Sequence, residues 1–271
     1  MLGRHHPLVR RLRALRRDAG LRRAEGVYVA EGLHLAAEAL GARAPVELAV
    51  YSPELRESAD GRSLLQKIGD AGIPHSETTR RVLESMQDAR SPQPLLLLVR
   101  QVGHTVEPCL PPARTRPLFI VTCGIQDPGN LGTILRSADA AGAAALLVTG
   151  ESADPFHPRC VRASMGSIFR QPTVIMNLDP LLDLLRDRGV ETVAADPSRG
   201  EPYDAIDLTG PVALFLGREG TGLPRDVSVR LDRAVVIPMS SGVESLSVGA
   251  AAAVLLFEAA RQRRAASPTA P

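Results

Sequence analysis

The chain has 271 residues, 44% hydrophobic and 23% charged, with a net charge of +2, a balance that fits one large or two modest folded domains and excludes disorder and fibrous repeats. The longest apolar run, Val248 to Phe257, has ten residues, well short of the roughly 18 to 20 that a membrane span needs. Charges recur from Arg4 through Arg23 with no apolar stretch behind them, so no secretory signal is read and the chain is expected to be cytoplasmic, with no membrane partner. Cys109, Cys123 and Cys160 lie far apart with no CxxC pair, which argues for reduced thiols and against a disulfide framework or zinc knuckle. The six histidines are scattered without ligand spacing, so no metal is expected.

In chain order, residues 1–23 carry eight arginines and one acid, Asp18, and read as a basic arm for a polyanion. Its Arg10, Arg11, Arg13, Arg16, Arg17, Arg22 and Arg23 are candidate RNA contacts, and such contacts would make affinity fall with salt. Residues 24–100 alternate strand-like and helical runs: Val27 to Ala30, Leu33 to Leu40, Val46 to Tyr51, Ser63 to Ala71, Arg80 to Gln87 and Leu95 to Val99. This pattern describes a small α/β domain. Residues 101–116 are proline-rich and aperiodic, a linker. From 117 to 264, buried-strand runs recur at Leu118 to Cys123, Ala144 to Thr149, Thr173 to Met176, Thr192 to Ala195, Val212 to Leu216 and Ala234 to Ile237. Helical patterns between them predict a mostly parallel sheet covered on both faces; one of these, Leu181 to Arg188, starts after Asp179-Pro180 and stops at Gly189. Residues 265–271 look disordered.

Three segments carry chemical signals. QDPGNLGTILRSADAAG, residues 126–142, follows a strand; Asn130 is a suitable N-cap, Gly142 a suitable stop, and Arg136 falls on a different side from Leu131, Leu135 and Ala138. Ligands of open α/β sheets gather at such strand ends. LGREGTGLP, residues 216–224, places Glu219 among three glycines, which permit close backbone approach; neither a dinucleotide fingerprint nor a phosphate loop is present. In residues 235–263 a polar Ser/Gly loop follows Pro238, Ser245 is placed as the cap of a long helix, and Gly249, Ala250, Ala252 and Ala253 make that helix thin enough for close packing.

In this order and spacing, the three segments closely resemble the three signature motifs of the SpoU family of RNA ribose 2'-O-methyltransferases, in the SPOUT superfamily. The likeness covers roughly residues 116–264 and includes the Arg-Ala-Ser-Met-Gly stretch at Arg162 to Gly166 in the family's intervening helix. Tyr28 to Ala39 is similar to the small RNA-binding domain often fused ahead of such catalytic domains. The resemblance implies an α/β trefoil-knot domain, an S-adenosylmethionine pocket inside the knot, and a homodimer with its active site near the subunit interface. By motif position it assigns Leu216, Gly217, Glu219, Ile237, Met239 and Leu246 to the cofactor, and Asn130, Arg136, Glu219 and Ser245 to catalysis, with Arg136 and Arg162 also facing RNA. One position departs: Ser247 stands where the third motif commonly has asparagine, which puts a hydrogen bond at that corner in question.

A ribose hydroxyl is a poor nucleophile, whereas a methyl group on a sulfonium is already activated, so the enzyme must align the pair and supply a proton acceptor. Members of the family often assign that role to the arginine matching Arg136, yet deprotonating an arginine at neutral pH costs on the order of 7 kcal/mol. Arg136 is therefore read as a charged grip on the target phosphate, with water or Glu219 taking the proton. The expected substrate is 23S ribosomal RNA, with transfer RNA as the alternative. The rival readings are a non-catalytic RNA-binding dimer, supported by Ser247, and a dinucleotide-dependent oxidoreductase, which lacks its fingerprint loop.

Overall fold

The computed structural model describes residues 1–88, 92–110, 116–241 and 245–266. The first hundred residues run α1 (Pro7–Arg17), α2 (Ala19–Glu25), β1 (Val27–Glu31), α3 (Leu33–Gly41), β2 (Val46–Tyr51), α4 (Ala59–Asp70), β3 (His75–Glu77), α5 (Arg80–Glu84) and β4 (Leu95–Arg100). The chain continues through β5 (Leu118–Cys123), α6 (Pro128–Ala141), β6 (Ala145–Thr149), α7 (Pro158–Ala163), β7 (Thr173–Ile175), α8 (Leu178–Asp187), β8 (Glu191–Ala195) and β9 (Glu201–Pro202). It ends with β10 (Val212–Leu216), α9 (Arg225–Ser228), β11 (Arg233–Val236) and α10 (Val248–Ala266). Two compact units result: residues 1–102 together with 154–170, and the stretches 103–153 and 171 onward.

In the first unit a four-stranded sheet in the order β1-β4-β2-β3 is antiparallel except where β2 meets β3. β4, four leucines and a valine before Arg100, is the buried interior strand. Residues 1–23 correct the expectation of a free basic arm. Val9, Leu12 and Leu15 recur at helical spacing and bury against Val27, Val29 and Leu98 of the sheet, which leaves Arg10 and Arg17 exposed on the other side of α1. The helix is framed by local chemistry: Pro7 occupies the first turn and His6 accepts from Leu8 N, while Asp18 both ends α1 and caps α2 through a bond from Leu21 N.

Residues 154–170 are a second difference, since the sequence boundaries put them inside 117–264 and the structure packs them into the first unit. α7 lies against β1, and Phe156 and Phe169 flank Tyr28 at centroid distances of 5.0 and 6.4 Å. Burial pushes the Tyr28 hydroxyl well above its ordinary value. Arg22 is the deepest tie. Only 2% exposed, it donates to Asp154 at 2.6 and 2.7 Å and to the Leu15 carbonyl at 2.6 Å. Its burial removes it from the candidate RNA contacts, because a guanidinium saturated inside the core has no free face for a phosphate.

In the second unit all pairings of the seven-stranded sheet, β7-β6-β5-β10-β8-β11-β9, are parallel. β5 and β10 match their expected spans, and the ends of the others shift by at most one residue; β9 was not expected. Helix α8 starts three residues earlier than read, behind Asn177. Of the tail expected at 265–271, Ala265 and Ala266 belong to α10, and residues 267–271 lie outside the described residues, as do 111–115 of the proline-rich linker. Among the described residues no helix is long and apolar enough to cross a membrane.

Breaking one side of a buried ion pair strands the other charge, which costs about 3–5 kcal/mol. Asp154→Ala is therefore expected to lower the stability of the first unit by about that amount in urea denaturation. Arg22→Met combined with Asp154→Leu should recover most of the loss; a single-mutant loss below about 1 kcal/mol would mean that water reaches the guanidinium.

Candidate active site

The strand order decides where the three segments meet. After β5 the chain builds β6 and β7 to one side, crosses to lay down β8 beyond, and then inserts β10 between β5 and β8. The loops after β5 and β10 are thus neighbours at the carboxyl edge of the sheet, at a reversal of strand order where ligands of such sheets bind.

The β5 loop leads into α6, whose cap differs from the expected one. Asp127 is the N-cap, its carboxylate accepting from Gly129 N at 2.7 Å, and Pro128 opens the helix. Asn130 therefore lies in the first turn with its side chain released from capping, and its amide donates to Glu219 Oε1 at 3.0 Å. The other oxygen of Glu219 accepts from Gln126 N at 3.3 Å. Burial would raise the Glu219 carboxyl, but these bonds from Asn130 and from backbone amides outweigh it and hold the group below its ordinary range. The carboxylate joins the first two segments and places a negative charge in the cleft, and it is held in the ionised form that a proton acceptor requires.

The loop after β10 folds back on itself through paired bonds between Arg218 and Gly222 at 2.9 Å. Gly217 is required by contact. A Cβ there would fall 2.0 Å from the Gly222 carbonyl carbon and 2.1 Å from Leu223 N. Gly220 and Gly222 adopt φ values of +82° and +69°, a region that favours glycine.

The third segment supplies the remaining wall. α10 begins at Val248, later than expected, and its cap is Ser247, whose hydroxyl accepts from Ala250 N at 3.3 Å; Ser245 is exposed in the preceding loop. The small residues of α10 have the close packing they imply. Gly249 faces Thr133 of α6, where a Cβ would lie 3.1 Å from the threonine methyl.

Together these elements enclose a cleft of about 130 Å³. All six residues assigned to the cofactor line it, Leu216, Gly217, Glu219, Ile237, Met239 and Leu246, and so does Ser245. Val235, Val248 and Leu255 complete an apolar floor. Asp196 and Arg218, which the sequence reading missed, line it too. Asp196 is buried enough to raise its carboxyl, but bonds from Ser198 and Arg199 prevail and keep it ionised. A hydrophobic slot with two carboxylates suits a ligand combining a flat apolar body, hydroxyls and a positive centre. Residues 242–244 of the third segment lie outside the described residues.

Arg136 is exposed on α6 and does not line the cleft; among the described residues it has no hydrogen-bonded or ionic partner. Arg162 is half-buried in the first unit, 3.6 Å from Glu31. Of the arginines at 1–23, Arg4, Arg10, Arg17 and Arg23 are exposed. Arg11 pairs with Glu25, Arg13 donates to Ser85, and Arg16 donates to the Gln87 carbonyl. Among the described residues no three of His, Cys, Asp and Glu gather as a metal site would need.

Comparison with known proteins gives a consistent set of likenesses. Residues 117–257 match the SpoU rRNA Methylase family, and residues 6–97 match an MRM3-like substrate binding domain. The 23S rRNA (guanosine-2'-O-)-methyltransferase RlmB of Photobacterium profundum is 32% identical over 84% of this chain and 96% of its own. The 23S rRNA (guanosine(2553)-2'-O)-methyltransferase RlmP of Bacillus subtilis is also 32% identical, over 69% of this chain and 73% of its own. Among solved structures, the SpoU methyltransferase AviRb of Streptomyces viridochromogenes, in complex with the cofactor AdoMet, superposes with a TM-score of 0.86. It is 27% identical and covers 96% of this chain and 99% of its own.

The Asn130–Glu219 bond is testable by a double-mutant cycle of Asn130→Ala and Glu219→Gln, with an expected coupling of about 1 kcal/mol because the carboxylate is partly solvated. Glu219 is depressed in the folded state, so this coupling is full above its ordinary value of 4.5 and fades as pH falls through the lower folded value. A coupling that grew on acidification would contradict the assignment.

Proposed function

Because the chain belongs to the SpoU rRNA methylase family, we propose that it transfers the methyl group of S-adenosylmethionine to a ribose 2'-hydroxyl of 23S ribosomal RNA, in the cytoplasm. The observation that carries this reading is the single cleft in which all six expected cofactor residues meet the Asn130–Glu219 pair. A guanosine is the favoured nucleotide, since the RlmB and RlmP relatives share it. The match of residues 6–97 to a substrate binding domain supports ribosomal over transfer RNA, because it adds a dedicated recognition module.

The residues present fit the cofactor. Gly217 leaves room that a Cβ would fill, Ile237, Leu255 and Val235 offer an apolar face to a purine, and the Glu219 and Asp196 carboxylates suit a cationic ligand. When bound, the cofactor supplies an activated methyl group on a sulfonium. The chain's task is then to hold the ribose hydroxyl in line and to exclude competing water. Arg136, exposed on α6 and outside its own chain's cleft, is assigned to the phosphate beside the target ribose. A second copy of the chain would bring its arginine to this cleft. The proton acceptor is Glu219, held as a carboxylate beside Asn130, or water.

The direct test is methyl transfer from radiolabelled S-adenosylmethionine to a mixture of unmodified 23S RNA and transfer RNA, followed by mapping of the modified ribose. Labelled 23S RNA with a single protected ribose is expected. Label confined to transfer RNA would replace the ribosomal reading, and binding of both ligands without transfer would favour the non-catalytic dimer. Arg136→Lys keeps the charge but loses the planar fork, so its single-turnover rate should fall at least about tenfold. A rate near wild type would argue against a bidentate grip.

A further inference from the structure

We propose that Arg218 is a second anion-holding residue of this site, binding an RNA phosphate at the mouth of the cofactor cleft, with Glu151 occupying its guanidinium when RNA is absent. The proposal rests on the methyltransferase reading and adds a substrate contact which that reading does not include.

Among the described residues that line the cleft, Arg218 is the only cation, beside the Glu219 and Asp196 carboxylates. Asp196 is paired with Arg199 at 2.8 Å, but among the described residues the Glu219 carboxylate has no cationic partner in the cleft lining and repels a polyanion, so RNA arriving at the same opening is helped by a positive group there. The position of Arg218 is set by packing. Its stem crosses Gly124 at the end of β5, where a Cβ would lie 2.8 Å from Nε and 3.1 Å from Cγ. Gly124 has a φ of +77° and its N–H donates to Ser152 at 2.9 Å. The backbone of Arg218 is pinned by its paired bonds to Gly222. Stem and backbone are therefore held before any ligand binds, which lowers the ordering cost of a contact.

The head group is held far less. Its ionic partner is Glu151, at 3.7 Å and beyond hydrogen-bond length, and the two side chains are 47% and 91% exposed. An exposed pair at that distance contributes little and yields readily to a better anion. A phosphate offers a guanidinium the bidentate geometry that Glu151 does not provide here. The methionine carboxylate of the cofactor has the same chemistry; the 47% exposure of the Arg218 side chain leaves it open to a ligand arriving from solvent, which favours RNA.

The experiment uses the full chain and 23S RNA transcribed without modification. It measures RNA affinity by filter binding at several salt concentrations, and S-adenosylmethionine affinity by calorimetry. Arg218→Ala is expected to weaken RNA binding by about threefold to tenfold and to reduce the salt slope by about 0.7–0.9, one phosphate contact. Cofactor affinity should stay within about twofold. Arg218→Lys should restore most of the salt slope as a point charge, a recovery that a purely structural role would not show. Glu151→Gln, which removes the competing acid, should tighten RNA binding by about twofold. Unchanged RNA affinity and slope in Arg218→Ala would overturn the proposal. A cofactor affinity that falls tenfold with RNA affinity intact would also overturn it and assign the guanidinium to the cofactor carboxylate. RNA binding is read without turnover, so a wild-type chain that binds but never methylates would refute the functional reading and leave the Arg218 result interpretable.

Discussion

The insertion of β10 between β5 and β8 is the constraint from which the site follows. Parallel strands require crossovers, and here the crossover skips a place in the sheet that the chain fills only after β8 and β9 are complete. The late strand brings Leu216 and its glycine loop beside the turn after β5, and the Asn130–Glu219 bond joins them. Gly217 is the steric condition for that junction, because the returning loop passes through the volume a side chain would fill. α10 then closes the cleft, approaching α6 through Gly249.

Charge is distributed according to what each region must attract. The cleft concentrates carboxylates that hydrogen bonds keep ionised, while the arginines divide between structural and exposed positions. Arg22 and Arg263 belong to the first group. Arg263 donates to the carbonyls of Leu208 and Gly210 and so anchors the last turns of α10; burial and the nearby Arg116 lower its affinity for its proton. In a chain with one lysine among 32 basic residues, some guanidinium groups serve as internal ties as well as surface charge. A planar group with five donors can satisfy several carbonyls at once, which an ammonium cannot do in fixed geometry.

Legibility of the sequence tracked how local each signal is. β5 and β10 are short apolar runs bounded by turn residues, and their spans agree with the structure to the residue. The inward and outward faces of α6 also followed from spacing alone, with Leu131, Leu135 and Ala138 buried and Thr133 and Arg136 exposed. The helix caps were harder, since Asp127, Asn130, Ser245 and Ser247 all have capping chemistry and only the chain path selects among them. Residues 1–23 misled because arginine count outweighed the apolar spacing of Val9, Leu12 and Leu15. The placement of residues 154–170 depends on long-range partners, Asp154 to Arg22 and Phe156 to Tyr28. No local pattern reports such pairing, and the same holds for Arg218, whose position is set by a glycine 94 residues earlier.

Ser247 illustrates how a departure from a family pattern is absorbed. Asparagine and serine differ in reach and in donor count, but they are nearly equal as helix N-caps. In this chain the hydroxyl accepts from Ala250 N at the start of α10, so the substitution keeps the terminus of the helix that walls the cleft. The capping role needs only an acceptor, and serine supplies one on a shorter stem. What the substitution removes is the amide's second donor. The fold therefore gives Ser247 a structural reason independent of turnover. Its presence is no argument for a chain that has kept the cleft and lost the reaction.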